Sequence, residues 1–313
     1  MYKFVIKRVL FLIPTVLGVI LIIYFVMALT PGDPGRAILG VNALQVHVDE
    51  LNHQLGFDRP FIQRFFLYLY NAVVNQDFGT SYFTKLPVFE EIWPRFFVTI
   101  KLALIGVFLS TVIGVPLGIY AAVKQYSLWD TIPTTFAFFL AAIPGFVVGM
   151  VLLMIFSLKL NWLPSYGLGG VEYYIMPAIT ASAPMAAYNL RFTKSSMLEE
   201  IRQDYVRTAR AKGVAERTVI WKHALKNAML PVITTIGLNF GVLICGAIVA
   251  EKLFSLPGIG TLIIDRIATK DEPIILAGVI LISIAFTIIM LIVDILYAYI
   301  DPRIKAKYVK LRG

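Results

Sequence analysis

The sequence predicts an all-α membrane protein with six transmembrane helices. Three observations carry that expectation: an extreme apolar composition, six long uncharged stretches, and basic residues gathered on one side of those stretches. Of the 313 residues, 58% are hydrophobic and only 15% charged, whereas soluble domains are about 45–50% apolar. Lipid is the solvent this composition fits.

A helix needs about 20 apolar residues to cross a hydrocarbon core about 30 Å thick. Six stretches meet or approach that length: Val9–Leu29, Leu102–Val123, Thr131–Leu158, Tyr173–Leu190, Ala228–Ala250 and Pro273–Val293. With their flanks they become spans at about 9–30, 96–123, 131–158, 173–196, 228–250 and 273–299, within a single transmembrane domain covering 1–313. The fourth is the shortest and carries Pro177, Thr180, Ser182, Pro184 and Asn189. Small and polar residues of that kind suit a helix buried among other helices. The first stretch follows a basic tail, as a signal peptide would. Its 21 apolar residues exceed the usual signal core of about 7–15, and no small-x-small cleavage site follows, so an uncleaved span is expected.

Orientation follows from the lysines and arginines between spans. Lys3, Lys7 and Arg8 precede the first span and Lys124 follows the second. The 191–227 segment carries Arg191, Lys194, Arg202, Arg207, Arg210, Lys212, Arg217, Lys222 and Lys226, and the C-terminal tail carries Arg303, Lys305, Lys307, Lys310 and Arg312. With six spans all of these fall on one side, eighteen of the 28 basic residues, beside only Asp130, Glu199, Glu200, Asp204, Glu216 and Asp301 among the acids. Both termini are therefore expected in the cytoplasm. The net charge of +9 is explained by this bias, so no nucleic-acid partner is expected, while anionic membrane lipid is. The outer loop, 31–95, contains Phe61–Val74, an aromatic-rich segment too short to span, which reads as a helix at the interface or packed on the spans.

Other chemistries find little support. Cys245 is the single cysteine, and His47, His53 and His223 have no Cys or carboxylate companions at ligand spacing, so no metal site is expected. Asp294 is the one carboxylate inside a span. It stands near the basic tail and reads as an interfacial pair, although an ion-coupled transporter would use such a residue. No second buried acid accompanies it, and no Ser–His or paired-Asp arrangement suggests an enzyme. A phosphate-binding G-x-x-x-x-G-K-[ST] loop is absent, so the chain is expected to bind no ATP by that means. Glycine pairs Gly114–Gly118, Gly145–Gly149 and Gly237–Gly241 point to close helix packing. Prolines 14, 116, 133, 144, 177, 184 and 231 point to kinks or helix starts.

The segment 198–227 is the most informative. Leu198, Ile201, Tyr205 and Ala209 recur at helical spacing; Gly213 interrupts; then Val219, Ile220, Ala224 and Leu225 form a second apolar pattern among charges. Two short amphipathic helices meeting at a glycine make an elbow that could dock into a groove on a soluble partner or lie on lipid.

The run Asp204-Tyr205-Val206-Arg207-Thr208-Ala209-Arg210-Ala211-Lys212-Gly213, followed by Trp221-Lys222-His223-Ala224-Leu225-Lys226-Asn227-Ala228, resembles the cytoplasmic coupling loop of binding-protein-dependent ABC importer permeases of the dipeptide/oligopeptide/nickel group, in particular their first, B-type subunit. The resemblance extends along nearly the whole chain. It includes Pro14-Thr15-Val16-Leu17-Gly18, Pro31-Gly32-Asp33-Pro34, Leu55-Gly56-Phe57-Asp58-Arg59-Pro60, Gly114-Val115-Pro116-Leu117-Gly118, Trp162-Leu163-Pro164, Glu251, Phe254, Pro257-Gly258-Ile259-Gly260, Asp265 and Asp301-Pro302-Arg303. Against the broad family pattern E-A-A-x3-G-x9-I-x-L-P, only Ala209, Gly213 and Leu225 match. Ala215 stands where many relatives have a capping serine.

The resemblance implies a type I ABC importer permease fold in a bacterial or archaeal cytoplasmic membrane. The chain would be no enzyme itself. It would work with a second homologous permease, two ATP-binding subunits that carry ATP and magnesium, and an extracellular solute-binding protein. Tyr205, Arg207, Thr208, Ala209, Lys212, Gly213, His223 and Leu225 would form the ATPase-coupling loop. Di- or oligopeptides are the expected cargo and nickel the alternative; the resemblance assigns no substrate-binding residues.

Overall fold

The computed structural model describes residues 2–29, 33–40 and 42–300. The expected Asp301-Pro302-Arg303 motif and the C-terminal basic residues lie outside them, as do Pro31 and Gly32. In chain order the helices are α1 (Tyr2–Leu29), α2 (Pro34–Leu39), α3 (Gln45–Gln54), α4 (Phe61–Val74), α5 (Val88–Val123), α6 (Leu128–Ala142), α7 (Gly145–Leu152), α8 (Glu172–Ile201), α9 (Asp204–Ala211), α10 (Glu216–Thr218), α11 (Leu225–Leu253), α12 (Ile259–Ala268) and α13 (Glu272–Ile300). Seven residues after α7 and six between α10 and α11 take the wider π-helical turn. An isolated bridge between Thr80 and Pro87 is the extended pairing among the described residues.

Among the described residues, three continuous helical segments are long and apolar enough to cross a membrane: Val88–Val123, Glu216–Ile244 and Glu272–Leu296. A fourth crossing arises only if α6 and the segment from Gly145 to Lys159 count as one, and these are bent by 99°. The stretch expected as one span from Thr131 to Leu158 is therefore interrupted at Pro144, one of the prolines expected to kink or start a helix. Ile143 is extended (ψ 126°) and Pro144, which has no N–H to donate, starts the next helix. α8 spans 30 residues but is too polar to join that set.

The chain divides into two compact units. One is Ile100–Leu256 with the flanking ends of α1 and α13; the other comprises Arg8–Thr99 and Pro257–Thr287.

In the first unit, α8 is the centre. It buries Met176, Ala178, Ala187, Leu190 and Met197 together with Thr180, Ser182, Asn189, Thr193 and Ser196. Backbone proximity makes this possible. A Cβ at Gly114 would lie 2.5 Å from the carbonyl oxygen of Ala186, and one at Gly118 would lie 2.6 Å from that of Leu190. The expected glycine pair thus lets α5 and α8 approach until no side chain fits between them. Several buried polar groups on α8 are then served from neighbouring helices, while Thr180 Oγ1 donates within α8 to the carbonyl of Met176 at 2.8 Å. Asn239 donates to Asn189 Oδ1 at 2.7 Å, Asn189 lies 3.4 Å from Ser110 Oγ, and Ser196 Oγ donates to the carbonyl of Ala228 at 2.8 Å. Asp294 is partly buried in α13.

The second unit is built around α4. Phe61, Phe65, Tyr68 and Leu69 pack on Ile20 and Tyr24 of α1 and on Leu276 and Ile280 of α13. Ile62, Phe66, Tyr70 and Val73 remain exposed, so α4 has apolar residues on two faces. Arg64 pairs with Glu272 at 2.8 Å and lies over the ring of Phe57 at 4.2 Å. A second core joins Val88 and Ile92 of α5 to Ile259 and Leu262 of α12 and to Ile274 and Ala277 of α13.

The α5–α8 contact makes a direct prediction. Gly114→Val forces α5 off α8 and lowers stability in detergent by about 1–3 kcal/mol. Gly18→Ala, where nothing lies within 4 Å, leaves the midpoint of a thermal-shift measurement in place or raises it.

Candidate functional site

The elbow anticipated in 198–227 is present, with its limbs divided differently from the periodicity. Leu198 and Ile201 are not part of a short helix; they form the last turn of α8. The chain breaks at Arg202 and Gln203, where Gln203 is extended (ψ 150°), and the first short helix is α9. The second limb is not free either. α10, a π-helical turn over Val219–Ala224 and α11 follow one another without a gap, so the limb is the entrance to a long helix.

Between the limbs, Gly213 has φ 76°, a left-handed conformation that glycine adopts without the penalty a Cβ brings. Its N–H donates to the carbonyl of Arg210 at 2.9 Å and that of Val214 to the carbonyl of Ala209 at 3.3 Å, closing α9. Nothing lies within 4 Å of where a Cβ would stand. The glycine is required by backbone conformation and not by space.

The elbow has its own core of Val206, Ala209, Val219 and Ala224, with Ile201 and Val214 packed against it. Ile220 belongs to a second cluster with Val115, Ile119 and Ala122 of α5, Met197 of α8, and Ala228 and Val232 of α11; Leu225 packs on this cluster. The second limb is thereby fused to the helices behind it. Arg210 closes the bend from outside, its Nε and Nη2 donating to the two carboxylate oxygens of Glu216 at 3.0 and 2.7 Å. This two-point pairing spans Gly213 on the exposed side of the bend, where solvent limits what it contributes.

The eight expected coupling residues separate by direction. Arg207, Thr208 and Lys212 are exposed, as is Gly213. Ala209 is 9% exposed and lies in the elbow core, Leu225 packs inward, and His223 is half-buried. Arg207 makes a loose i,i+3 pair with Asp204 at 3.8 Å, and Thr208 Oγ1 donates to the carbonyl of Asp204 at 2.9 Å. Tyr205 ties the first limb to its base, because its hydroxyl donates to Glu200 and accepts from Asn227 Nδ2 at 2.9 Å. Burial, and then the hydrogen bond to Glu200, push that hydroxyl up to about 12, so it stays protonated at neutral pH. Beside it, Ser195, Leu198, Glu199, Arg202, Gln203 and Asp204 line a cleft of about 550 Å³ where α8 meets α9.

Three features were missed by periodicity: the Arg210–Glu216 clasp, the Tyr205–Glu200–Asn227 tie, and the inward face at Val206. The first had a signal, since opposite charges six apart flank a glycine. The last was hidden because Tyr205, four residues before Ala209, drew the apolar stripe one residue off. Ala215 caps the second limb without a side-chain hydrogen bond; the continuous helix behind it supplies the order a cap would give.

The core and the clasp should respond differently to substitution. Val206→Asp opens the elbow and exposes Arg207, Arg210 and Lys212 to rapid trypsin cleavage in detergent. Glu216→Gln shifts stability by less than about 1 kcal/mol, as expected for a solvent-exposed pair, and leaves the cleavage rate within about twofold.

The family model for the binding-protein-dependent transport system inner membrane component matches residues 114–306, and that for the N-terminal part of the membrane component of such systems matches residues 1–103. The glutathione transport system permease protein GsiC of Escherichia coli (strain K12) is 42% identical over 307 residues, covering 98% of this chain and 100% of its own length. The protein of the same name from Salmonella choleraesuis (strain SC-B67) is 43% identical over the same extent. A crystal structure of an amino acid ABC transporter with histidines superposes with a TM-score of 0.47 at 15% identity, over 67% of this chain and 92% of the other.

Proposed function

Because this chain belongs to the binding-protein-dependent transport system inner membrane component family, we propose that it is the permease subunit of an ATP-driven importer that brings di- or oligopeptides into the cell. The observation that carries the cargo is the 42% identity, over its full length, to a glutathione transport system permease; glutathione is itself a short peptide. In this reading a second homologous permease completes the path, two ATP-binding subunits hydrolyse ATP, and an extracellular solute-binding protein delivers the peptide. Six crossings are made by α1, α5, the bent α6–α7 segment, α8, α11 and α13. The basic residues of 191–227 and of the tails put both termini and the elbow in the cytoplasm.

The elbow is then the part that meets the ATPases. Arg202, Arg207, Thr208 and Lys212 present the outer surface, whereas Ala209 and Leu225 hold the elbow to the bundle. ATP-driven closure of the ATPase pair pushes on α9. Since the second limb continues into α11 and packs on α5 and α8, the push moves helices as rigid bodies and not a loose loop.

Two experiments test this. Affinity purification of the tagged chain from its native membrane should bring two ATPases and a second permease with it; recovery of the chain alone would sink the importer reading. In proteoliposomes holding the whole complex and its binding protein, Gly213→Pro should leave ATP hydrolysis while reducing peptide uptake at least about tenfold, because no left-handed turn is open to proline. Asp294→Asn should leave uptake within about threefold, whereas an ion-coupled transporter would lose it.

A further inference from the structure

The elbow joins α8 at its C-terminal end, and the last turns of α8 are held from three sides. Gly118 of α5 lies against Leu190 and Thr193. Ser196 Oγ donates to Ala228 at the start of α11. Toward α6 the tie is ionic: the ammonium of Lys194 meets Oδ1 of Asp130 and lies 3.3 Å from Thr134 Oγ1.

Asp130 stands in the first turn of α6 and is 6% exposed. Its Oδ1 also accepts from Thr134 Oγ1 at 3.1 Å, and its Oδ2 accepts from the amide of Tyr126 at 3.0 Å. A buried carboxylate with three donors around it is matched to one position of its partner. Arg191, one turn earlier on α8, lies over the ring of Phe138 on α6 at 4.4 Å, a second cationic contact between the same two helices. Lys194 itself precedes the end of α8 at Ile201 by about two helical turns, and α9 begins three residues later.

We infer that the Asp130–Lys194 ion pair is the strut by which movement of the elbow is passed along α8 to α6. Separating these helices would break the pair and the donor set around Asp130, whose side chain is largely shielded from solvent, an outcome unfavourable enough that α6 follows α8. The broken α6–α7 segment then moves with the elbow, while the rest of α6 keeps its apolar contact of Ala137 and Leu140 with Ala187 and Leu190. Both residues are positioning residues, since neither lies on the exposed face of the elbow. The inference rests on the coupling role proposed above for that elbow.

The test uses the complete reconstituted transporter and reads peptide taken up per ATP hydrolysed, a ratio that a purely structural tie does not alter. Lys194→Met and Asp130→Asn should each assemble with the ATPases and hydrolyse ATP, with the ratio reduced about tenfold, and Lys194→Arg should restore it to within about threefold of wild type. An unchanged ratio in the two neutral variants overturns the inference, as does a Lys194→Arg ratio no better than that of Lys194→Met. If neither neutral variant assembles but Lys194→Arg does, the pair serves stability alone and the inference is likewise overturned. Gly213→Pro run alongside separates the two levels: uncoupling there with normal ratios in the ion-pair variants sinks the strut and keeps the elbow, and no effect in either sinks the coupling role itself.

Discussion

The close approach of the α5 and α8 backbones at Gly114 and Gly118 is the constraint on which the first unit depends. With a Cβ excluded at both positions, the two helices touch through main chain over at least one turn. Contact at that distance supplies dispersion attraction without relying on expulsion of water, which is the form of stabilisation available between helices in lipid. It also places α8 where Asn189 and Ser196 find partners on neighbouring helices. Asn189 can hold its amide between Asn239 and Ser110 only because both neighbouring helices are near enough to reach it. The low hydropathy of α8 and the glycines of α5 are thus two halves of one arrangement.

The same arrangement explains how so small an elbow keeps a shape. An isolated helix of eight residues such as α9 is far below the length at which helices persist in water. Its order comes from Val206 and Ala209 packing on Val219 and Ala224, and from the second limb being the first turns of α11. Ile220 and Leu225 bind that limb to α5 and α8. A load placed on α9 therefore reaches the bundle through packed side chains that have little room to yield.

Much of this was legible in advance, for identifiable reasons. Apolar length locates the long helices, the glycine pair at 114 and 118 marks a contact with no room for side chains, and Gly213 marks a turn that needs a positive φ. Phe61–Val74 was readable to the residue because Pro60 precedes it and polar residues follow. Pro144 marks a kink or a helix start, but the size of the bend at Ile143–Pro144 is not legible, since an apolar stretch gives no sign of its direction. A proline among hydrophobic residues is compatible with a kink, a start or a stop, and the outcome depends on the neighbours that receive the freed backbone groups. The limits of the elbow were misjudged for a related reason. A 3.6-residue stripe passes smoothly from Leu198 to Ala209, whereas the chain breaks at Arg202–Gln203 and resumes with Val206 inward. Ion pairs such as Asp130–Lys194 join residues 64 apart in sequence, and no local pattern signals them.

Charge and conformation meet at α8. Its middle carries neutral polar residues satisfied by neighbouring helices, as at Asn189, or by its own carbonyls, as at Thr180, and its last turns carry Arg191 and Lys194, each matched by α6. Neutral amides and hydroxyls can exchange partners as helices slide, because an unsatisfied one costs only about 1–3 kcal/mol. A paired charge in a poorly hydrated site is far less forgiving and holds its partner to one register. The sequence thus divides α8 into a middle whose hydrogen bonds tolerate rearrangement and an end that does not, and the end that does not is the one attached to the elbow.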